Sequence, residues 1–143
     1  MLLGEYQHSI DDKGRLAVPA KFRKSLAGGV VVTKGAEGCL YLYPLEEWMK
    51  FAEKLAKLPI NRADSRAYSR LMLAGASNAE IDSQGRILIP DYLRNYAGIQ
   101  TKAVIVGLYN RAEIWDEERW QQYRVKVEGE GDEISERLGE LST

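Results

Sequence analysis

The chain carries the stretch IDDKGRLAVP at residues 10–19 and the related stretch IDSQGRILIP at residues 81–90. Both fit the pattern I-D-x-x-G-R-φ-x-φ-P, where φ is apolar, and an Arg follows four residues after each Pro, at Arg23 and Arg94. An internal repeat indicates a fold built from two similar structural units that pack against each other. The repeat therefore predicts two equivalent surfaces, and the polar residues present in both copies are candidates for function.

The composition is that of a globular protein. With 143 residues, 45% of them hydrophobic and 29% charged, the chain predicts one domain or two small halves with a common core. Its apolar runs are too short to span a bilayer, and its N-terminus lacks a basic start followed by an apolar core. We therefore expect no membrane association and no signal peptide.

Cysteine and histidine chemistry is almost absent from the sequence. Cys39 and His8 each stand alone, which excludes an intramolecular disulfide and a Cys-based zinc site and favours a reducing compartment. The paired Asp11 and Asp82 invite comparison with an aspartic protease dyad, but the Asp-Thr-Gly or Asp-Ser-Gly arrangement is missing. We therefore expect no enzyme, no metal, no cofactor and no small-molecule substrate.

The net charge of −1 conceals an uneven distribution along the chain. Before Glu128 there are 19 Lys and Arg against 15 Asp and Glu, whereas six acids and one base follow from Glu128 onward. A mildly basic body with an acidic tail is compatible with a polyanionic partner. Ordinary solubility charge explains the same numbers equally well.

Each repeat predicts a β-β-α-β-β unit. The Asp-x-x-Gly segment predicts a turn that makes a hairpin with a Gly bulge, and Pro19 and Pro90 are structural residues that start short helices. The predicted elements are strands 5–10, 15–18, 30–33 and 40–43 with helix 20–26 in the first unit, and strands 79–81, 86–89, 103–107 and 112–115 with helix 90–96 in the second.

Longer helices are predicted after each unit. Apolar residues at helical spacing indicate a helix over 45–58 that Pro59 ends, followed by a helix capped by Asn61 that runs to about residue 74. Asp116 is expected to cap a helix over 117–127, and the acidic tail predicts a further helix over 133–141. Trp48 and Trp120 occupy related positions and are expected to pack in the core.

The doubled D-x-x-G-R-x-x-x-P pattern resembles the tandem SpoVT/AbrB-type domains of the bacterial MraZ family. The opening MLLGEYQHSIDDKGR is also similar to that family, as are segments within 42–48, 70–76 and 110–115, so that the resemblance covers roughly residues 1–127. It implies an α+β, mainly β fold in which two swapped-hairpin halves form one small barrel with pseudo-twofold symmetry. The expected division is a first half at 1–48, connecting helices at 49–75, a second half at 76–120, and a C-terminal helix with an acidic tail at 121–143.

The same resemblance implies a sequence-specific DNA-binding transcriptional regulator. It implies repression of the cell division and cell wall operon that contains the protein's own gene, through binding to tandem promoter repeats in double-stranded DNA. The implied partners are DNA and further copies of the chain in a ring-shaped homo-oligomer, with a cytoplasmic, nucleoid-associated location. The alternative is a protein-interaction module of antitoxin type without a primary DNA role, which the acidic tail and the helices carrying Tyr and Trp could serve.

The candidate DNA-binding residues lie on the turns and on the short helices that follow them. Arg15 and Arg86 are placed to reach guanine or phosphate, and Lys13 and Gln84 occupy the turn tips. Basic residues on the short helices are candidates for phosphate contacts: Lys21, Arg23 and Arg94, together with Lys24.

Asp11 and Asp82 are expected to brace the turns together with Gly14 and Gly85, because phosphate would repel a carboxylate aimed at DNA. An intramolecular Asp–Arg pair without any ligand is the alternative role of each repeat arginine. The two copies also differ in charge. Positively charged residues of the first copy are replaced by neutral ones in the second, which predicts a more basic first half: Lys13 by Gln84, Lys21 by Tyr92 and Lys24 by Asn95.

Overall fold

The computed structural model describes residues 1–139, which fold into an α+β structure, as predicted. The strands are β1 (Leu2–Ser9), β2 (Arg15–Ala17), β3 (Val30–Lys34), β4 (Leu40–Pro44), β5 (Ser77–Ala79), β6 (Arg86–Leu88), β7 (Lys102–Tyr109) and β8 (Ala112–Asp116). The helices are α1 (Ala20–Leu26), α2 (Leu45–Ala56), α3 (Ala63–Ser69), α4 (Asp91–Ala97), α5 (Glu117–Gly129) and α6 (Gly131–Leu138). A 3-10 turn spans Ala36–Gly38, and a π-helical turn, Arg70–Ala74, extends α3.

Strands of the two repeats are interleaved within two antiparallel sheets. The larger sheet has the order β1-β7-β8-β4-β3-β5, and β2 and β6 form a separate two-stranded ribbon. Each of the strands β1, β2, β4 and β5 pairs with a strand of the other repeat, namely β7, β6, β8 and β3. The strands are thus interleaved as expected, while closure into a barrel with a twofold axis stays a prediction.

The predicted hairpin between β1 and β2 is wrong outside its turn. β1 pairs along its whole length with β7, from Leu2 opposite Tyr109 to Ser9 opposite Lys102, and only an isolated bridge between Ile10 and Leu16 joins the two sides of the turn. The turn reverses the chain locally, but β2 finds its strand partner in β6. The first strand of the second repeat is also displaced: β5 begins at residue 77 because it pairs with β3 there.

One core joins the two repeats. The φ positions of both motifs are buried, with Leu16 at 0% and Ile87 at 1% exposure, and Phe22 of α1 and Leu93 of α4 lie in the same cluster. Burial of one such side chain contributes about 1.5–3 kcal/mol to the free energy of folding. A single repeat, with half of this core, would therefore have only marginal stability.

The short helices agree closely with expectation because their ends are set by local chemistry. α1 has the predicted bounds, and α4 ends at Ala97, directly before Gly98, which adopts a left-handed conformation with φ of 67°. α5 is capped as predicted: the Asp116 carboxylate accepts the N–H of Arg119 at 3.2 Å. α6 begins at Gly131, two residues before the helix expected over 133–141, and ends at Leu138. Residues 140 and 141 of that expected helix lie outside the described residues.

Other helix predictions were wrong in detail. α2 ends at Ala56, before Leu58 and Pro59, and α3 begins at Ala63 after an uncapped Arg62, so Asn61 is not its cap. The two tryptophans are half-buried and cover the core from outside: Trp48 packs on Tyr43, and Trp120 packs on Trp115 in a second small cluster. No helix within residues 1–139 has the length and apolar character needed to cross a membrane.

Candidate nucleic-acid interface

The ribbon formed by β2 and β6 presents one face to the core and one to solvent. Leu16 and Ile87 lie opposite each other and are buried. Because side chains alternate along a strand, the residues on either side of this pair point outward. The outer face of the ribbon is therefore formed by Arg15 opposite Leu88 and Ala17 opposite Arg86.

A carboxylate organises the turn that precedes β2. The backbone oxygen of Asp11 accepts the N–H of Gly14 at 3.0 Å, and its Oδ1 accepts the N–H groups of Lys13 and Arg15 at 3.0 and 2.9 Å. Its Oδ2 accepts Nε of Arg15 at 2.7 Å. These donors, the backbone N–H of Arg15 above all, hold the pKa of Asp11 below its usual range. The side chain that orders the turn thus also orients the arginine.

The turn before β6 has the same construction. Oδ1 of Asp82 accepts the N–H groups of Gln84 and Arg86, both at 2.9 Å, and its Oδ2 accepts Nε of Arg86 at 3.1 Å. The pKa of Asp82 is likewise lowered, mainly by the backbone N–H of Arg86. The intramolecular Asp–Arg pair considered from the sequence is present in both repeats, and it uses Nε. Within residues 1–139 no acceptor contacts Nη1 or Nη2 of Arg15, which leaves that end of its guanidinium open.

The arginines of the short helices are turned toward the protein. Nε of Arg23 donates to the carbonyl of Val18 at 3.3 Å, and Nε of Arg94 donates to the carbonyl of Ile89 at 3.0 Å. Arg94 also forms an ion pair with Asp91. Both arginines are therefore engaged at the ends of the ribbon, and the phosphate role expected for them from the sequence stays a prediction.

Three lysines at the first turn and on α1 are exposed. Lys13, Lys21 and Lys24 all lie in solvent. In the second repeat, the residue equivalent to Lys21 has a structural bond, because the hydroxyl of Tyr92 donates to the carbonyl of Gly75 at 3.0 Å. The outer surface next to the first turn is therefore more basic than the surface next to the second.

Sequence reasoning missed Leu88 as a surface residue of the site. Leu88 is 55% exposed on the outer face of the ribbon and borders a groove of about 700 Å³ that Pro90, Leu45 and Asn78 also line. The alternation of buried and exposed positions along β6 was the signal that could have identified it.

The described residues offer little for metal or thiol chemistry. No group of three or more His, Cys, Asp or Glu side chains within residues 1–139 is arranged to hold a metal ion. Cys39 is buried, and this burial raises the pKa of its thiol and disfavours the reactive thiolate.

Comparisons with known proteins identify relatives over the full length. A family model described as "MraZ protein, putative antitoxin-like" matches residues 1–71 and again residues 72–139. A protein named Transcriptional regulator MraZ from Heliobacterium modesticaldum is 49% identical over 138 residues, 96% of each chain. Its namesake from Natranaerobius thermophilus is 46% identical over 138 residues, also 96% of each chain. A namesake from Pelotomaculum thermopropionicum is 47% identical over 142 residues, 99% of this chain and 98% of the relative.

A solution structure of a Pyrococcus horikoshii protein covers 80% of this chain and 88% of its own, at 17% identity and a TM-score of 0.34. A score this low adds nothing to the description of the fold.

Proposed function

We propose that this chain, which belongs to the MraZ family of transcriptional regulators, binds double-stranded DNA through the outer face of its β2–β6 ribbon. The observation that carries this proposal is the pair Arg15 and Arg86 on that face, each oriented by the carboxylate of its own turn. A two-stranded ribbon fits the major groove, and a guanidinium matches the acceptor pair of guanine or a phosphate.

The surroundings of the two arginines support a DNA-facing role. Lys13 and Gln84 stand at the turn tips, where a long basic or amide side chain reaches phosphate or adenine. Leu88 adds an exposed apolar side chain between the charged groups, which suits the methyl group of thymine. The exposed Lys21 and Lys24 extend the basic surface of the first repeat toward the DNA backbone.

The regulatory setting of the proposal is the one that the sequence resemblance to the family implies. We assign the chain to repression of the cell division and cell wall operon that includes its own gene, in the cytoplasm and at the nucleoid. One ribbon with few phosphate contacts binds weakly at physiological salt. A ring-shaped homo-oligomer presents several ribbons, and their combined avidity favours tandem promoter repeats over single ones.

The test measures affinity for a labelled duplex taken from the DNA upstream of the chain's own gene. We expect Arg15→Ala and Arg86→Ala each to weaken binding by about 1–3 kcal/mol, the usual contribution of one bidentate base contact, with unchanged thermal unfolding. Arg62→Ala is the matched control, since Arg62 is an exposed arginine between α2 and α3, outside the ribbon. Unchanged affinity in both ribbon variants would remove these arginines from the interface.

A second function is favoured by the antitoxin-like description of the family model. In this alternative the chain is a protein-interaction module without a primary DNA role. A pull-down with and without nuclease separates the two functions. A partner protein that survives nuclease treatment and requires the acidic tail supports the module, whereas loss of all captured material on nuclease treatment supports the DNA-binding role.

A further inference from the structure

We propose that Arg23 and Arg94 are positioning residues that act across the repeats, each holding the turn of the opposite repeat in place. Arg94 of the second repeat supports the turn that carries Arg15, and Arg23 of the first repeat supports the turn that carries Arg86. The predicted effect on DNA affinity rests on the proposed function. The predicted effect on amide exchange in the turns of the DNA-free protein does not.

Strand pairing creates the crossed arrangement. Because β2 and β6 are antiparallel, the end of each strand lies beside the turn that begins the other. The N–H of Val18 donates to the carbonyl of Gly85, and the N–H of Ile89 donates to the carbonyl of Gly14, both at 2.8 Å. The chain therefore leaves each strand next to the turn glycine of the other repeat.

The helix arginines then close over these glycines. A Cβ atom built on Gly14 would lie 2.8 Å from Nε of Arg94, and one built on Gly85 would lie 2.6 Å from Nε of Arg23. Real Cβ atoms do not approach other groups so closely, so the guanidinium occupies the space that a side chain would need. Both glycines are buried.

The chemistry of arginine suits this role. Its planar group carries several donors in a fixed geometry, so it can donate Nε to a strand-end carbonyl while it lies against a glycine backbone. The bond from Arg94 to Ile89 ends beside the first turn, and the bond from Arg23 to Val18 ends beside the second. A lysine in either place would keep the charge and lose the fixed donor geometry.

The two arginines differ in how available they are for phosphate. The side chain of Arg94 is only 19% exposed and is paired with Asp91. Arg23 is exposed. The residue of α1 that corresponds to Asp91 is Ala20, so Arg23 has no carboxylate partner at that position. Substitution of Arg94 therefore distinguishes a positioning role from a direct phosphate contact better than substitution of Arg23 does.

The first experiment is amide hydrogen exchange on the DNA-free protein. We expect Arg94→Ala to accelerate exchange at Lys13 and Gly14 by about five- to tenfold, as for loss of a supporting hydrogen bond, and to leave Gln84 and Gly85 unchanged. Arg23→Ala is expected to produce the reverse pattern. Faster exchange in the variant's own repeat, or in neither turn, would overturn the proposal whatever the DNA result.

The matched control is Lys24→Ala. Lys24 is an exposed cation on α1 whose side chain forms no hydrogen bond or ion pair within residues 1–139, so neither turn should respond. If an alanine variant fails to fold, Arg94→Lys and Arg23→Lys replace it. The lysine variants keep the positive charge, and faster exchange in the opposite turn supports positioning while unchanged exchange contradicts it.

The second experiment is a double-mutant cycle with the upstream duplex. In the Arg15→Ala background, Arg94→Ala should weaken DNA binding by less than about twofold, because the side chain that Arg94 positions is already gone. In the Arg86→Ala background, Arg94→Ala should weaken binding as much as it does in the unmodified chain. Equal effects in both backgrounds would show a direct phosphate contact and contradict positioning. If the unmodified chain binds no DNA, the proposed function fails, and hydrogen exchange alone decides the crossed support.

Discussion

Nη1 of Arg86 lies 3.8 Å from Oδ2 of Asp11, the carboxylate that orders the turn of the other repeat. Arg86 thus faces two carboxylates, its own Asp82 and this second one, and its side chain is 26% exposed. Arg15 contacts one carboxylate and is 35% exposed. The two repeat arginines are therefore unequal although their motifs match.

This inequality predicts which arginine matters more for DNA. We expect Arg15→Ala to weaken binding to the upstream duplex more than Arg86→Ala, because Arg86 must share its charge with Asp11. Fluorescence anisotropy at one fixed salt concentration measures both. The opposite order would mean that the additional carboxylate orients Arg86 and does not withdraw it from DNA.

The turns should loosen in acid. Because the folded-state pKa values of Asp11 and Asp82 are lowered, both carboxylates stabilise the turns at pH above the unfolded-state value of about 3.9. This stabilisation is lost as the pH falls below that value and through the folded-state pKa. Amide chemical shifts of Lys13 and Gln84, followed from pH 6 to pH 2, should report the transition.

The control for this titration distinguishes a bracing carboxylate from a merely nearby one. Asp11→Asn should abolish the acid transition in the first turn and leave the second turn unchanged. Asp12→Asn removes the adjacent, exposed carboxylate, and both transitions should persist. If the first-turn transition disappears in Asp12→Asn, Asp12 and not Asp11 is the group whose protonation loosens the turn, and the prediction is contradicted.

Salt dependence should reveal the difference between the turn tips. Each phosphate contact adds about 0.9 to the slope of log affinity against log salt concentration. Lys13→Gln is expected to lower the magnitude of this slope by about that amount, and Gln84→Lys to raise it equally. Slopes that do not change in either variant would show that neither turn tip contacts phosphate.

The turn glycines should tolerate no side chain. Gly14 has φ of 87°, and Arg94 occupies the space beside it, so we expect Gly14→Ala to lower the free energy of unfolding by about 1–3 kcal/mol. Urea denaturation measures this change. Gly28→Ala is the control, because a Cβ there meets nothing within 4 Å, and its effect should stay within about 0.5 kcal/mol. Equal effects would show that position 14 is not constrained.

Local signals in the sequence predicted helices and turns well. Pro19 and Gly98 bound their helices through their own backbone geometry, and Asp116 caps α5 with its own carboxylate. Such features depend on a few adjacent residues, so they can be predicted from the sequence without knowledge of the fold. The Asn61 cap failed because Arg62 leads directly into α3 without a capping side chain.

Strand partners and crossed contacts could not be predicted in the same way. The alternation of residues in β1 indicates a strand but does not indicate that β7 is its neighbour. The position of Arg94 over Gly14 depends on the pairing of β2 with β6, which joins residues far apart in the chain. Sequence reasoning named both arginines and could not identify which turn each one contacts.

The exchange of strands within one chain removes a constraint that a symmetric dimer would face. Identical subunits present the same side chains twice and therefore match a palindrome. Here the two halves are covalently joined, so Lys13 can face one half of a site while Gln84 faces the other. On the proposed DNA-binding role, we therefore expect the DNA sequence that fits this ribbon to have unlike halves and to define the direction in which the protein lies on it.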